Sequence, residues 1–333
     1  MKKIILFLFI ISFLFAADFN GKFELETVYD DNILNLSKTD IGRFNSAEET
    51  DKFVQKTLDD LIFQPKIKLQ IKAKNFGHTN IQKFTVKYDK YLQNEFKDNF
   101  TFLFSTKQYL SRKINFTINY AYNPKLFVNR FDSVWDTADV YRDFTYSKNE
   151  ISGKFQYRLS SMLRLNYQYE IAKTIHTAYF TEYDAIADGH STNLEILSKK
   201  GNKIGLAYSY LNSQIDNEVE AESIVNRKNG SFKSNEYKIF AKIIEFSPLV
   251  FYYNFQFERK YFQTLNDFDT SHFGRIDDAY SLDISLKYPL FKNYELKTFY
   301  GYEKRQTTAF FESAVESKSY QKNEFAINLR CSF

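Results

Sequence analysis

Charged side chains at every second position are the residues of this sequence best placed to do chemistry. Lys66, Lys68 and Lys72 alternate with apolar residues, and Arg164 and Glu170 recur with the same spacing in a later segment. Side chains two residues apart lie on one face only when the chain is extended, so these charges share a face of a strand. A face with both signs attracts and orients ions rather than making or breaking bonds.

The alternation assigns charged residues from many segments to the same kind of face, and we predict that together they line one polar interior. The predicted lining residues are Lys66, Lys68, Lys72, Lys113, Lys154, Arg158, Arg164, Glu170, Glu258, Asp283, Lys287 and Arg330. Their basic excess is modest. It favours anions if the interior conducts, or else these charges form cross-strand pairs that merely keep the interior hydrated.

Period-two alternation predicts fourteen strands along the chain. In MLRLNYQYEI (162–171) and KINFTINYAY (113–122), apolar and aromatic residues fall on one side and polar residues on the other. The predicted strands are 19–29, 61–73, 80–91, 98–107, 112–122, 148–159, 163–174, 190–199, 203–213, 234–244, 249–261, 277–288, 294–305 and 320–333. Counts of twelve or sixteen stay open, because some segments are apolar on both faces.

The predicted strands are joined by short and long connectors in alternation. The long ones include 30–60, 123–147 and 214–233. Transmembrane β-barrels have this arrangement, with short periplasmic turns, long external loops and an even number of strands.

Composition supports a sheet with two different faces. The chain has 36 Phe and 25 Tyr, yet its mean hydropathy is -0.46. A transmembrane barrel reconciles these values, because each strand gives apolar residues to lipid and polar residues to the interior. The sequence thus predicts an all-β, antiparallel, up-and-down transmembrane barrel. With 45 basic against 41 acidic residues, the chain lacks the excess of a nucleic-acid binder.

The first seventeen residues have the layout of a signal peptide. Lys2 and Lys3 precede an apolar run from Ile4 to Phe15, and Ala16 and Ala17 follow it. The run is too short for a membrane-spanning helix. We therefore expect residues 1–17 to be removed and 18–333 to form one barrel domain.

The last segment, NEFAINLRCSF, alternates apolar Phe325, Ile327, Leu329 and Phe333 with polar or small residues. It resembles the C-terminal signature of bacterial outer-membrane proteins, which their barrel assembly machinery reads. The resemblance implies a multi-pass barrel in the outer membrane, in contact with its lipids. These four residues are then the expected membrane-insertion signal.

Two further patterns invite a chemical interpretation. His176 and His190 flank a segment with Asp184 and Asp188, superficially similar to the sites of barrel proteases, but no serine or activity motif accompanies them. Cys331 is the only cysteine, which excludes an intrachain disulfide and a Cys-based zinc cluster. We predict no enzymatic activity, no metal site and no cofactor.

The longest loop contains a helical pattern. Ser46 and Glu49 fit a capping box, and Phe53, Leu58 and Leu61 follow at helical spacing. A short helix here either folds into the interior and narrows it or covers the rim.

The expected function is passive or selective diffusion of small hydrophilic solutes through an outer-membrane channel, with a weak preference for anions. One alternative is a surface adhesin or structural barrel with a blocked lumen. A second is a transporter of hydrophobic compounds. Some room for it on an otherwise polar interior face is left by Phe240, Ile244, Tyr252 and Phe299.

Overall fold

The computed structural model describes residues 18–48, 50–75, 77–132, 140–215 and 228–333. Fourteen antiparallel strands form one closed barrel, in which each strand pairs with its neighbours along the chain and β1 pairs with β14. The strands, β1 to β14 in order, are Asp18–Asp30, Asp60–Asn75, His78–Tyr91, Asn99–Tyr109, Ile114–Asp132, Tyr141–Arg158, Leu163–His176, Ala185–Leu197, Lys203–Ile215, Phe232–Ile243, Val250–Phe262, Ile276–Phe291, Tyr294–Thr308 and Tyr320–Ser332. The predicted fold class and the count of fourteen are confirmed.

The two faces of the wall differ as the alternation predicts. Phe325 and Ile327 of β14 are 53% and 59% exposed on the outer face. Glu24 of β1 and Asn166 of β7 are each 2% exposed on the inner face. An apolar exterior around a polar interior suits a wall that meets lipid outside and water inside.

Two strands are much longer than the alternation predicts. β5 and β6 run on through most of the expected loop 123–147, and their register shifts between Asn123 and Leu126 and between Phe127 and Asn129. These bulges change the side-chain phase, which hides the continuing strand from a strict period of two. Only 133–140 still separates the two strands, and 133–139 lie outside the described residues. Of loop 214–233, residues 216–227 lie outside them as well.

The helix in the first loop was predicted in the wrong place. Helix α1 spans Lys38–Asn45, and the Asp40 N–H donates to Oγ of Ser37 at its N-cap. Ser46 instead ends this helix, because Ala47 has a φ of 56° that breaks the helical path. Glu49, the other half of the expected capping box, lies outside the described residues.

A second short helix, α2, spans Glu312–Lys318 between β13 and β14. Within the described ranges, no helix is long and apolar enough to cross a membrane. The expected signal peptide, 1–17, falls outside those ranges and stays a prediction.

Candidate solute pathway

A single buried carboxylate gathers three cations on the inner face where the barrel closes. Oε atoms of Glu24 lie 2.9 Å from Lys68 Nζ, 3.7 Å from Lys66 Nζ and 2.5 Å from Arg330 Nε. These side chains meet because Glu24 pairs with Lys66 on β2 and with Arg330 on β14. One negative charge cannot neutralise three positive charges, so the cluster keeps a positive surplus.

Two more carboxylates are shared in the same way. Glu195 of β8 lies 3.1 Å from Arg164 and 3.6 Å from Lys203. Glu295 of β13 forms ion pairs with Lys287 and, at 2.8 Å, with Arg330. Because Glu24 and Glu295 share Arg330, and Lys66 also lies 3.8 Å from Glu26, the joined cluster holds four cations and three carboxylates. It keeps one positive charge, as does Glu195 with its two cations.

The other predicted lining residues take different positions. Lys154 and Lys72 lie on the inner register of β6 and β2, and within the described part of the chain neither forms an ion pair. Lys113 lies in the turn before β5 and is exposed. Arg158 ends β6 and donates to the carbonyls of Ser160 and Ser161, so it holds a turn.

The predicted acidic residues lie mainly nearer the external end. Glu258 pairs directly with Glu236 across β10 and β11. Both line a cavity of about 260 Å³ together with Glu170 and Ser191. Asp283 lies nearer the short turn that follows β12, and its carboxylate accepts from the Asn254 side-chain amide at 2.9 Å. Charge is therefore unevenly distributed along the barrel axis, with the surplus of cations in the half that carries the short turns.

The external loops meet over the barrel opening. The Arg130 guanidinium at the end of β5 donates to the Asp51 carbonyl of the first loop at 3.2 Å. Lys318 of α2 lies 4.7 Å from the ring centroid of Phe131, five strands away around the barrel. Thr270, in the loop before β12, lines a cavity together with residues of α1 and α2. Segments from opposite sides of the wall thus share the space above the interior.

An apolar cluster anchors the first loop inside this opening. Its buried members are Ile33, Leu34, Leu36, Phe53 and Phe127. Lys97 donates to the Ile33 carbonyl from a 3-10 turn before β4. Of the two expected arrangements of this loop, folding inward describes it better than covering the rim alone.

Polar groups fix the loops on the opposite side of the opening. The Asp269 carboxylate, fully buried, lies 3.0 Å from Nδ1 of His272, and it accepts from the Asn229 N–H at 2.9 Å. Burial alone would raise the pKa of Asp269, but the hydrogen bond from His272 holds it below its ordinary value. Arg275 and Asp277 form a buried ion pair at 2.6 Å.

Lys318 stands out in this network because its charge is buried. Burial, together with the charge of nearby Arg275, lowers the pKa of Lys318 to about 8, and the carboxylate of Asp40 offsets this only in part. Sequence reasoning missed Lys318, Arg275 and Glu24. Lys318 and Arg275 lie in the connections between strands, where the sequence has no periodic pattern. Glu24 lies on the inner register of β1, so the alternation could have identified it.

His176 and His190, which flank Asp184 and Asp188 in the sequence, lie in different surroundings. Nδ1 of His176 lies 3.2 Å from the Asp184 carboxylate. His190 instead contacts the Tyr167 hydroxyl at 2.7 Å on the outer face. Asp188 accepts from Asn212. Among the described residues, no three His, Cys, Asp or Glu side chains are grouped to hold a metal ion.

Solved structures similar to this chain are bacterial outer-membrane proteins. OmpT, an outer membrane protein of Vibrio cholerae, has a TM-score of 0.51 at 9% identity, covering 96% of this chain and 99% of its own. The outer membrane channel DcaP of Acinetobacter baumannii has a TM-score of 0.50 at 12% identity, covering 95% and 97%.

No protein-family model matches the chain, and no curated protein matches it in sequence. The similarity to these solved structures shows the fold of this chain. The chain is a β-barrel of the bacterial outer-membrane type with fourteen strands.

Proposed function

We propose that this protein is an outer-membrane channel for small hydrophilic solutes and that it prefers anions. The observation that supports the proposal is the positive surplus in the half of the interior with the short turns, which is the periplasmic half in such barrels. Six cations there, Lys66, Lys68, Arg164, Lys203, Lys287 and Arg330, face four carboxylates, Glu24, Glu26, Glu195 and Glu295. Fixed cations around a water-filled path raise the local concentration of anions.

The packed external loops set the size of the path. A fourteen-stranded wall is wider than the eight-stranded barrels that side chains can fill, and it is narrower than the open porins of about 16 to 18 strands. Because segments of three loops share the opening, small solutes pass there more readily than large ones.

The test is ion selectivity of the refolded protein in planar bilayers. Lys107 lies on the inner register of β4, in line with Lys72 across the strands. The sharpest variant replaces Lys72, Lys107 and Lys154 by Glu, because within the described residues none of the three is paired with a carboxylate. Lys66 and Lys68 are less suitable, since their replacement would crowd carboxylates around Glu24. A matched control replaces exposed Lys199 and Lys292, which lie in short turns.

We expect the unmodified protein to pass chloride more readily than potassium. The triple variant should shift the reversal potential toward cation preference, and the turn control should shift it far less. A cation-selective unmodified protein, or a triple variant indistinguishable from the control, would contradict the proposal.

A second candidate function is favoured by the loops themselves. If the segments over the opening seal it, the protein is a surface-binding or structural barrel with a blocked interior. Absence of conductance in correctly folded protein would support it, and replacing 310–319 with a flexible linker should then open a current. The hydrophobic-compound alternative has weaker support, because the protein's own side chains fill the apolar cluster at the opening.

A further inference from the structure

One section of the inner wall combines cations with aromatic rings. It lines a cavity of about 480 Å³ on β9 to β14, in the half with the short turns. Its cationic members are Lys203, Lys238, Lys242, Lys287, Lys297 and Arg330, and its aromatic members are Phe240, Tyr252 and Phe299. A cavity of this volume accommodates a small organic molecule.

Three of the cations are not held in an ion pair with any residue that the structure describes, although Glu236 lies two residues from Lys238 on β10. Lys287 and Arg330 are paired with Glu295, and Lys203 lies 3.6 Å from Glu195. Over the described part of the chain, Lys238, Lys242 and Lys297 form no ion pair. Their charge is therefore available to an anion that enters the cavity.

Two of the aromatic rings pack closely over glycines. Phe240 pairs across the strands with Gly205, and a Cβ atom on that glycine would lie 2.2 Å from the ring. A Cβ on Gly301 would lie 2.8 Å from the ring of Phe299. The absence of side chains at these glycines leaves room for each ring to cover the backbone.

Cations lie next to these rings. Lys203 Nζ is 4.9 Å from the ring centroid of Phe240, and Lys297 Nζ is 5.7 Å from that of Phe299. A solute that stacks on either ring therefore brings its own substituents close to an ammonium group. An inorganic anion would use the cations alone, and a neutral apolar solute would use the rings alone.

We propose that this wall is a binding site for small aromatic carboxylates, solutes that combine one anionic group with one flat ring. The inference deepens the proposed function, because it names a class of anion and rests on an interior that solutes can reach. Stacking on Phe240 or Phe299 would orient the ring, and Lys238, Lys242 or Lys297 would bind the carboxylate.

The test measures binding instead of current, so that its failure is distinct from failure of the channel proposal. Benzoate, acetate and benzyl alcohol are titrated into the refolded full-length protein by calorimetry, with detergent alone as the blank. We expect saturable binding of benzoate, with acetate and benzyl alcohol each weaker by about tenfold or more. Equal affinity for acetate, equal affinity for benzyl alcohol or no saturable binding of benzoate would overturn the proposal.

Two variants locate the site. Lys238→Gln combined with Lys242→Gln, and separately Phe240→Leu, should each weaken benzoate binding by about fivefold to tenfold. The control is Lys199→Gln, an exposed lysine in a short turn outside this wall, which should leave benzoate binding unchanged. An equal loss in the control would show a general field effect and would overturn the assignment. The ligand comparison on the unmodified protein stands even if a variant fails to fold.

Discussion

Gly21 and Phe333 join the two ends of the barrel wall. The Gly21 N–H donates to the Phe333 carbonyl at 2.9 Å, and the Phe333 N–H donates to the Gly21 carbonyl at 3.0 Å. The ring of Phe333 covers the glycine so closely that a Cβ there would lie 2.2 Å from it. The C-terminal aromatic residue is therefore part of the seam between β1 and β14.

Gly21→Ala should weaken this seam. The new methyl group displaces the Phe333 ring, and we expect a loss of about 1 to 2 kcal/mol in the free energy of unfolding, as for other overpacking substitutions. Urea unfolding in lipid vesicles measures it. Gly42→Ala is the matched control, because a Cβ at Gly42 meets nothing within 4 Å and Ala favours its helix. Equal effects of the two substitutions would contradict the role of the ring.

Glu24→Gln should both destabilise the barrel and increase its preference for anions. The change leaves Lys66, Lys68 and Arg330 without their shared carboxylate, and loss of one partner from a buried ion pair costs about 3 kcal/mol or more. Urea unfolding and the reversal potential report the two effects. Glu26→Gln, which removes a single contact of 3.8 Å to Lys66, should change both much less.

Ser37→Ala should loosen the first loop. Ser37 is buried and caps α1 by accepting from the Asp40 N–H at 3.0 Å, and loss of such a cap costs about 1 kcal/mol. Faster cleavage of the segment 31–59 by added protease is the expected readout. Ser46→Ala, at the other end of the helix, should have a smaller effect. A larger increase in cleavage for Ser46→Ala than for Ser37→Ala would support the capping box at Ser46 that the sequence predicts.

The packing of α2 should strengthen as pH rises from about 8 toward 10.5. Burial lowers the pKa of Lys318 to about 8 from its ordinary value of 10.5. Between these values the unpacked loop binds more protons than the packed loop, so packing becomes more favourable with increasing pH, and this gain is lost as pH falls through 8.

Lys318→Met removes this titration. Protease protection of 310–319 should then vary less with pH than in the unmodified protein, and at pH 7 the variant should be the better protected of the two. Lys199→Met, in an exposed turn, serves as the control. A pH dependence that survives in Lys318→Met would mean that another group is responsible.

The wall of the barrel was largely predictable because lipid outside and water inside require apolar and polar residues to alternate along every strand. Where this alternation is regular, as at Leu163–His176 or Tyr320–Ser332, the predicted bounds agree closely with the structure. The prediction failed at β5, where bulges change the phase of the side chains after Asn123. The helix was misplaced because Ser37 and Ser46 offer similar local signals, and only the backbone at Ala47 separates them.

The candidate site was predictable as a set of residues but not as an arrangement. Alternation identified Lys66, Lys68 and Arg330 as inner-face residues, yet their convergence on Glu24 depends on how β1 pairs with both β2 and β14. Lys318 could not be found, because its surroundings come from loops that are distant in sequence. Such contacts follow from closure of the barrel and have no local pattern.

The unequal length of the strands gives the molecule a raised side. A strand needs only about 9 to 11 residues to cross the membrane, whereas β5 and β6 have 19 and 18 residues. The surplus carries this hairpin some 20 Å beyond the hydrocarbon core, at about 3.4 Å per residue and a tilt of about 45°. A large particle that approaches the membrane on this side contacts the β5–β6 hairpin before it reaches lipid. Access to the external opening of the barrel is therefore more hindered on the side of β5 and β6.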